Sequence, residues 1–107
     1  MIRGEIWTAS GGGYAGKPRP VVIVQSDRFE TGSVTVCPFT TDPTDAPLLR
    51  VDVTPTAANG LTQISRIMVD KVTTVTRGKL GRRIGRLADE DMLRLNRAVL
   101  IFLGLVD

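Results

Sequence analysis

The sequence predicts a mainly β fold: a small, strongly bent antiparallel barrel with one helix packed on it. Two observations support this prediction. Through most of the chain, short alternating or β-branched segments are separated by turns rich in glycine, proline and aspartate. Near residue 88 the apolar period changes to that of an amphipathic helix. With 107 residues, of which 42% are hydrophobic, we expect a single domain spanning residues 1–107 around one small core.

Five or six short strands are predicted. The first half of the chain offers three, a roughly alternating one at 2–9, a β-branched and therefore buried one at 20–26, and a well alternating one at 33–40. The later candidates are a short strand at 48–53, a longer strand, bent or straight, at 64–75, and a basic strand or strand-loop at 79–87. Polar turn regions separate them at residues 27–32, 42–47 and 55–62.

A single helix is predicted near the end of the chain. Four apolar residues lie at helical spacing, namely Met92, Leu95, Val99 and Phe102. Three acidic residues at 89–91 stand in the first turn, where the helix dipole favours anions, and Gly104 is a suitable stop. Because residue 88 is alanine, we expect either a weak N-cap or Asp89 in that role.

The composition excludes several kinds of chemistry. The chain contains no histidine, which removes the commonest general base, the commonest metal ligand and every Ser-His or Cys-His arrangement. The single cysteine, Cys37, lies in an apolar run and is predicted to pack as a small buried hydrophobe. We therefore expect no metal site and no cofactor, with any chemistry carried by Arg, Lys, Asp, Glu, Ser, Thr or Tyr side chains.

Charge and hydropathy indicate the compartment and the class of partner. The sequence has no apolar run of about eighteen residues and no signal-like opening, so we expect a cytoplasmic protein without membrane contact. The net charge is +3, and the segment 77–86 holds five cations and no acid. This basic segment is compatible with phosphate contacts and equally with a solvated strand face.

The glycine-rich stretch that leads into the second predicted strand is the most informative local feature. Pro18 and Pro20 bracket Arg19, and each proline restricts its own backbone and that of the preceding residue. We therefore expect the Arg19 guanidinium to be held in a defined place, where it suits recognition of a planar or tetrahedral anion. The alternative is an ordinary surface arginine on a solvated loop.

An ordered set of short motifs covers residues 2–106. They are Arg3-Gly4-Glu5-Ile6-Trp7, Gly16-Lys17-Pro18-Arg19-Pro20, Val36-Cys37-Pro38-Phe39-Thr40-Thr41, Asn59-Gly60-Leu61, Val69-Asp70-Lys71-Val72-Thr73-Thr74, and Gly85-Arg86-Leu87 before a helix that ends Leu103-Gly104-Leu105. In this order they resemble the MazF/PemK (Kid) family of bacterial toxins. The resemblance implies an SH3-like barrel of the MazF/CcdB type that forms a two-fold homodimer. It also implies a sequence-specific, metal-independent endoribonuclease for single-stranded RNA, and an antitoxin whose acidic and apolar tail occupies the RNA groove.

The resemblance assigns catalytic roles to three residues. Arg19 would stabilise a phosphorane-like transition state, the Thr40 hydroxyl would hold the scissile phosphate, and Asp70 would act as a base. RNA supplies its own nucleophile, the 2′-hydroxyl, so the product should be a cyclic phosphate and a free 5′-hydroxyl. Further RNA contacts are expected from Tyr14, Lys17, Thr41 and Arg66. Tyr14 would stack on a base, or else pack on the barrel as a loop aromatic.

The chain departs from parts of that family in two places. The segment 13–17 lacks the glutamate or histidine that many relatives carry before the arginine, and Met68 stands where some relatives have an arginine. The general acid and base therefore stay open, with Lys17 and Arg66 as alternatives.

Two other functions are weighed against RNA cleavage. A CcdB-like gyrase poison would need a Trp-Gly-Ile-type ending, whereas this chain ends Gly104-Leu105-Val106-Asp107 and its one tryptophan is Trp7. An SH3-like peptide-binding module would need an aromatic groove, and aromatic residues make up only 5% of the chain.

Overall fold

The computed structural model describes residues 1–10, 17–46 and 48–107, which are called the described residues below. They form seven strands and one α-helix. The strands are β1 Glu5–Ala9, β2 Arg19–Ile23, β3 Ser33–Thr40, β4 Arg50–Val53, β5 Ser65–Met68, β6 Thr73–Thr76 and β7 Leu80–Arg86, and the helix is α1 Asp89–Phe102. Short 3-10 turns occupy Val69–Lys71 and Arg77–Lys79.

The predicted segment 64–75 is two strands rather than one. The 3-10 turn at Val69–Lys71 interrupts it, closed by a hydrogen bond from Val72 N to Val69 O at 3.2 Å. The Val69 N–H donates instead to Leu49 O at 2.9 Å, which ties the turn to the start of β4. This offset lets β5 pair with the end of β3 and β6 with its beginning.

The sheet is antiparallel and runs in the order β4-β5-β3-β2-β1-β7, with β6 paired to β3. Among the described residues, β4 and β7 end this path, so the sheet is bent but does not close into the continuous barrel that the sequence predicted. Helix α1 packs beside β4, where Arg94 Nη1 donates to the Asp52 backbone carbonyl at 2.8 Å. The fold class, mainly β with a C-terminal helix, is confirmed.

Both faces of the central strands are buried. One face packs under α1, and its largest fully buried side chains include Ile6, Val22, Ile67, Leu87 and Leu95. The other face forms a smaller cluster of Ala9, Val21, Ile23, Val34, Val36 and Leu80. Cys37 is fully buried in the first cluster, as predicted, and burial raises the pKa of its thiol to about 12.

Helix α1 begins and ends largely as its sequence indicates. Its N-cap is Ala88, without a side-chain hydrogen bond, so the expected weak cap is confirmed. At the other end, Gly104 takes a φ of 75°, and the Leu105 N–H donates to Leu100 O at 2.9 Å, which is a Schellman-type stop. Helix α1 ends at Phe102, the last of the four residues at helical spacing, and this side chain is 41% exposed. No helix in the described part of the chain is long and apolar enough to cross a membrane.

Candidate functional site

Arg19 is the first residue of β2, where the chain enters the sheet. Its backbone pairs with Ala9 of β1, and Pro20 lies opposite Thr8. The side chain of Arg19 is exposed, and so are those of Lys17 and Pro18 before it. The proline bracket therefore sits at a strand entry, as the sequence predicted, with its cation on the surface.

Thr40 is the last residue of β3, the strand next to β2. The pairs between these strands run from Ile23 opposite Val36 to Val21 opposite Pro38. Extended by two residues beyond the observed pairs, the same register would set Arg19 level with Thr40. Side chains level with each other on neighbouring antiparallel strands share one face of the sheet. The two residues with the most specific predicted roles are therefore expected on the same face of the sheet.

The Thr40 hydroxyl is oriented by the loop that follows it. Its oxygen accepts a hydrogen bond from Asp42 N at 3.1 Å, which leaves its own proton available for donation to a ligand. Asp42 is held in turn by Thr44, whose hydroxyl and N–H donate to Asp42 Oδ1 at 2.8 and 3.0 Å. The Thr44 hydroxyl, followed by its N–H, lowers the pKa of the Asp42 carboxyl. An ionised aspartate thus fixes the turn that holds the Thr40 oxygen.

Arg66 lies directly opposite Thr40 on β5, on the side away from β2. Its Nε forms an ion pair with Asp52 Oδ1 at 2.8 Å, and its Nη1 donates to the Thr44 carbonyl. Arg66 therefore binds the loop after β3 to the sheet with part of its guanidinium. Its remaining N–H groups are the ones available for RNA, the contact that the sequence predicted.

Asp70 lies apart from this group. It sits in the 3-10 turn, four residues past Arg66, which separates it from Thr40 by on the order of 10 Å along the strand. Its carboxylate is paired with Arg50, with Oδ1 3.2 Å from Nε and Oδ2 3.4 Å from Nη2. The Nε and Oδ1 atoms are buried, and the 3.2 Å contact between them lacks hydrogen-bond geometry. The structure pairs Thr40 with Arg66, the β2–β3 register extended by two residues sets Arg19 level with Thr40, and Asp70 forms a separate ion pair.

The structure gives positions for some, but not all, of the other residues predicted to contact RNA. Thr41 is exposed directly after β3, and Lys17 is exposed two residues before Arg19. Tyr14 lies outside the described residues. The basic segment 77–86 includes β7, at one end of the sheet. Within it, Arg83 forms an ion pair with Glu5 at 2.9 Å, so part of its charge is neutralised inside the protein.

Sequence reasoning named only Arg66 of a cluster that lies on the opposite side of Thr40. It combines Arg50 and Asp52 of β4 with Arg66 of β5 and Arg94 of α1, which are far apart in the chain. The one signal in the sequence was the alternation along β4, which puts Arg50 and Asp52 on the face opposite the buried Val51 and Val53. That pattern alone does not indicate which strand or helix supplies the partners.

Comparisons with known proteins agree on the family. A family model described as PemK-like, MazF-like toxin of type II toxin–antitoxin system matches residues 2–103. A curated relative from Mycolicibacterium smegmatis is named as a probable endoribonuclease MazF. It is 60% identical over an alignment of 107 positions, which covers 98% of this chain and 98% of the relative.

Solved structures with the same fold carry similar names. An endoribonuclease in complex with its cognate antitoxin, from mycobacterial species, superposes with a TM-score of 0.83 at 25% identity, covering 100% of this chain and 98% of that one. The Mycobacterium tuberculosis toxin MazF-mt6 superposes with a TM-score of 0.81 at 31% identity, covering 96% and 99%.

Proposed function

The chain belongs to the PemK-like, MazF-like toxin family of type II toxin–antitoxin systems, and on that premise we propose that it is a sequence-specific endoribonuclease for single-stranded RNA. The proposal is supported by the β2–β3 register, which, extended by two residues from Val21 opposite Pro38, sets Arg19 level with Thr40 on one sheet face. A guanidinium and a hydroxyl that face one cleft can both reach the oxygens of a single phosphate. Family membership sets aside the gyrase-poison and peptide-binding alternatives.

The proposed reaction uses the nucleophile that RNA carries. The 2′-oxygen forms a bond to the adjacent phosphorus while the bond from phosphorus to the 5′-oxygen breaks, giving a 2′,3′-cyclic phosphate and a 5′-hydroxyl. In the transition state, negative charge grows on the non-bridging oxygens, where Arg19 and the Thr40 hydroxyl donate hydrogen bonds. Fixed donors of this kind typically contribute about 10²–10³ in rate each. These residues supply charge and positioning without a metal or cofactor.

The proton from the 2′-hydroxyl needs an acceptor, and the leaving 5′-oxygen needs a donor. Asp70 is the predicted base, and in this role its carboxylate would act from within the ion pair with Arg50. Arg66 is the strand neighbour of Thr40, and Lys17 lies exposed two residues before Arg19. They are the alternative proton-transfer groups.

Two protein partners follow from the same premise. A cognate antitoxin neutralises the enzyme, and an acidic, apolar tail suits a surface that exposes Lys17 and Arg19. A homodimer would cover apolar side chains exposed near the end of the chain, namely Leu100, Phe102, Leu103, Leu105 and Val106. Light scattering after size exclusion should then give twice the 11.6 kDa chain mass. RNA as substrate places the action of the enzyme in the cytoplasm.

Cleavage of end-labelled RNA in EDTA tests the proposal. The purified chain should cut at defined positions and leave cyclic-phosphate and 5′-hydroxyl ends. Arg19→Ala should lower the rate by about 10²–10³. Arg28→Ala is the matched control, since it removes the same charge from an exposed turn after the opposite end of β2. Equal rates for the two variants, or products with 5′-phosphates, would count against the mechanism.

A further inference from the structure

A cleft of about 130 Å³ opens beside the Thr40 site, between the loop after β3, strands β4 and β5, and helix α1. Its lining residues are Asp45, Ala46, Arg50, Asp52, Arg66 and Arg94. We call it the Arg–Asp cleft. It adjoins the proposed cleavage site, because Arg66 is the direct cross-strand neighbour of Thr40. Side chains in such a pair lie about 5 Å apart, so an RNA strand held at Thr40 passes the mouth of the cleft.

The charges of the Arg–Asp cleft do not suit a phosphate. Its three arginines are offset by two lining aspartates, Asp45 and Asp52, and by Asp70 and Asp91, which pair with Arg50 and Arg94 from just outside it. Three cations therefore face four carboxylates, and a further anion would be repelled. A neutral ligand with both donors and acceptors on its edges fits this environment better.

The Arg–Asp cleft offers a ligand both hydrogen-bond acceptors and hydrogen-bond donors that are not used within the protein. The exposed Asp45 carboxylate makes no hydrogen bond or ion pair with any other described residue. Arg66 and Arg94 each use part of the guanidinium within the protein, Arg66 on Asp52 and Thr44, and Arg94 on the Asp52 carbonyl and Asp91. Each arginine keeps N–H groups that can donate to a ligand, because a guanidinium carries five of them. A carboxylate acceptor thus stands beside guanidinium donors.

We propose that the Arg–Asp cleft reads a guanine base next to the cleaved phosphate, an inference that rests on the proposed function. Guanine presents two adjacent donors, N1–H and the N2 amino group, which match the two oxygens of the Asp45 carboxylate. It also presents two adjacent acceptors, O6 and N7, which match an arginine fork such as that of Arg94 or Arg66. An unpaired base of single-stranded RNA can turn into such a cleft, since its edges are free.

The first test is to cut a randomised RNA pool and sequence the product ends. Wild-type protein should select guanine at one fixed position within a few nucleotides of the cut. Asp45→Asn replaces one of the two acceptor oxygens by a donor amide, and it should cut with the guanine preference reduced roughly tenfold. Glu90→Gln removes the same charge from an exposed position in the first turn of α1 and should keep the preference. No fixed guanine, or a preference that survives in Asp45→Asn, would overturn the inference.

A binding arm separates this inference from the proposed function. A Thr40→Val variant should bind a short labelled RNA with guanosine at the selected position roughly tenfold more tightly than the same RNA with inosine, which lacks only the N2 amino group. Equal binding of the two would refute the cleft as a guanine site even if cleavage is normal. If wild-type protein cuts no RNA, the nuclease proposal fails. In that case, the binding of trinucleotides that contain guanosine is compared with that of trinucleotides that contain inosine. Tighter binding of guanosine would support the cleft as a guanine site, and equal binding would refute it.

Discussion

Replacement of the Thr40 hydroxyl gives the sharpest test of the site. Thr40→Val keeps the β-branched shape and the strand preference of the residue and removes only the hydroxyl. If this hydroxyl donates to the phosphate in the transition state, kcat should fall by about 10²–10³, equivalent to about 2.7–4 kcal/mol. KM should change little, because the interaction strengthens as charge develops on the phosphate oxygens.

The structure also indicates how far Thr40→Val should lower the stability of the folded protein. In the folded protein the Thr40 hydroxyl makes an exposed hydrogen bond to Asp42 N at 3.1 Å. Loss of one such bond costs about 1 kcal/mol, which lowers Tm by about 5 °C in a domain of this size. A far larger fall in Tm would mean that the variant reports on folding rather than on chemistry.

A matched control lies on the same strand. The Thr35 hydroxyl is also exposed and also makes one bond of 3.1 Å, to the Thr74 hydroxyl near the other end of β3. Thr35→Val should lower Tm by a similar few degrees and leave kcat unchanged. Cleavage of one labelled RNA, quenched at fixed times, compares the rates of the two variants, and circular-dichroism melts compare their Tm values. If the two variants cut at the same rate, Thr40 is only a strand-end threonine and the proposed site is wrong.

Three further outcomes are expected. Gly85→Ala would place a Cβ 2.3 Å from the Asn59 carbonyl carbon, so it should lose about 1–3 kcal/mol and lower Tm by roughly 10 °C, whereas Gly78→Ala, with open space around it, should melt within a few degrees of wild type. The raised pKa of Cys37 means that its unfolded thiol ionises first. The free energy of unfolding should therefore hold below pH 9 and fall as pH rises from about 9 to about 12 in urea titrations. Asp70→Asn should abolish the acidic limb of the pH–rate profile if Asp70 is the base, and should leave the profile unchanged, with a lower Tm, if it serves only its ion pair.

Local sequence signals located the parts of the site that lie at strand ends. The proline bracket predicted a fixed Arg19 at a strand entry, and the alternation of residues 33–40 predicted where β3 ends. Which strands become neighbours was not readable from these patterns. The resemblance suggested that Arg19 and Thr40 share a cleft, and the antiparallel register of β2 and β3 gives the physical reason.

The expectations that the structure changed all depend on long-range partners. Asp70 was predicted on a continuous strand, but the 3-10 turn and the Arg50 side chain, twenty positions away, determine its surroundings. The path of paired strands ends at β4 and β7, and α1 packs beside β4; the strand pattern of the sequence reports neither of these.

The distribution of charges around Thr40 indicates how a bound RNA is oriented on the sheet. On the β4, β5 and α1 side, the arginines Arg50, Arg66 and Arg94 are each paired with an aspartate. On the other side of Thr40, exposed cations occur at Lys17 and along β7, where Arg82 and Arg86 form no ion pair with the described residues. Phosphates follow net positive charge, whereas bases need a balance of donors and acceptors. A bound RNA should therefore run its backbone along the β2 and β7 side of the sheet and turn its bases towards the Arg–Asp cleft, with the cleaved bond at the boundary where Arg19 and Thr40 meet.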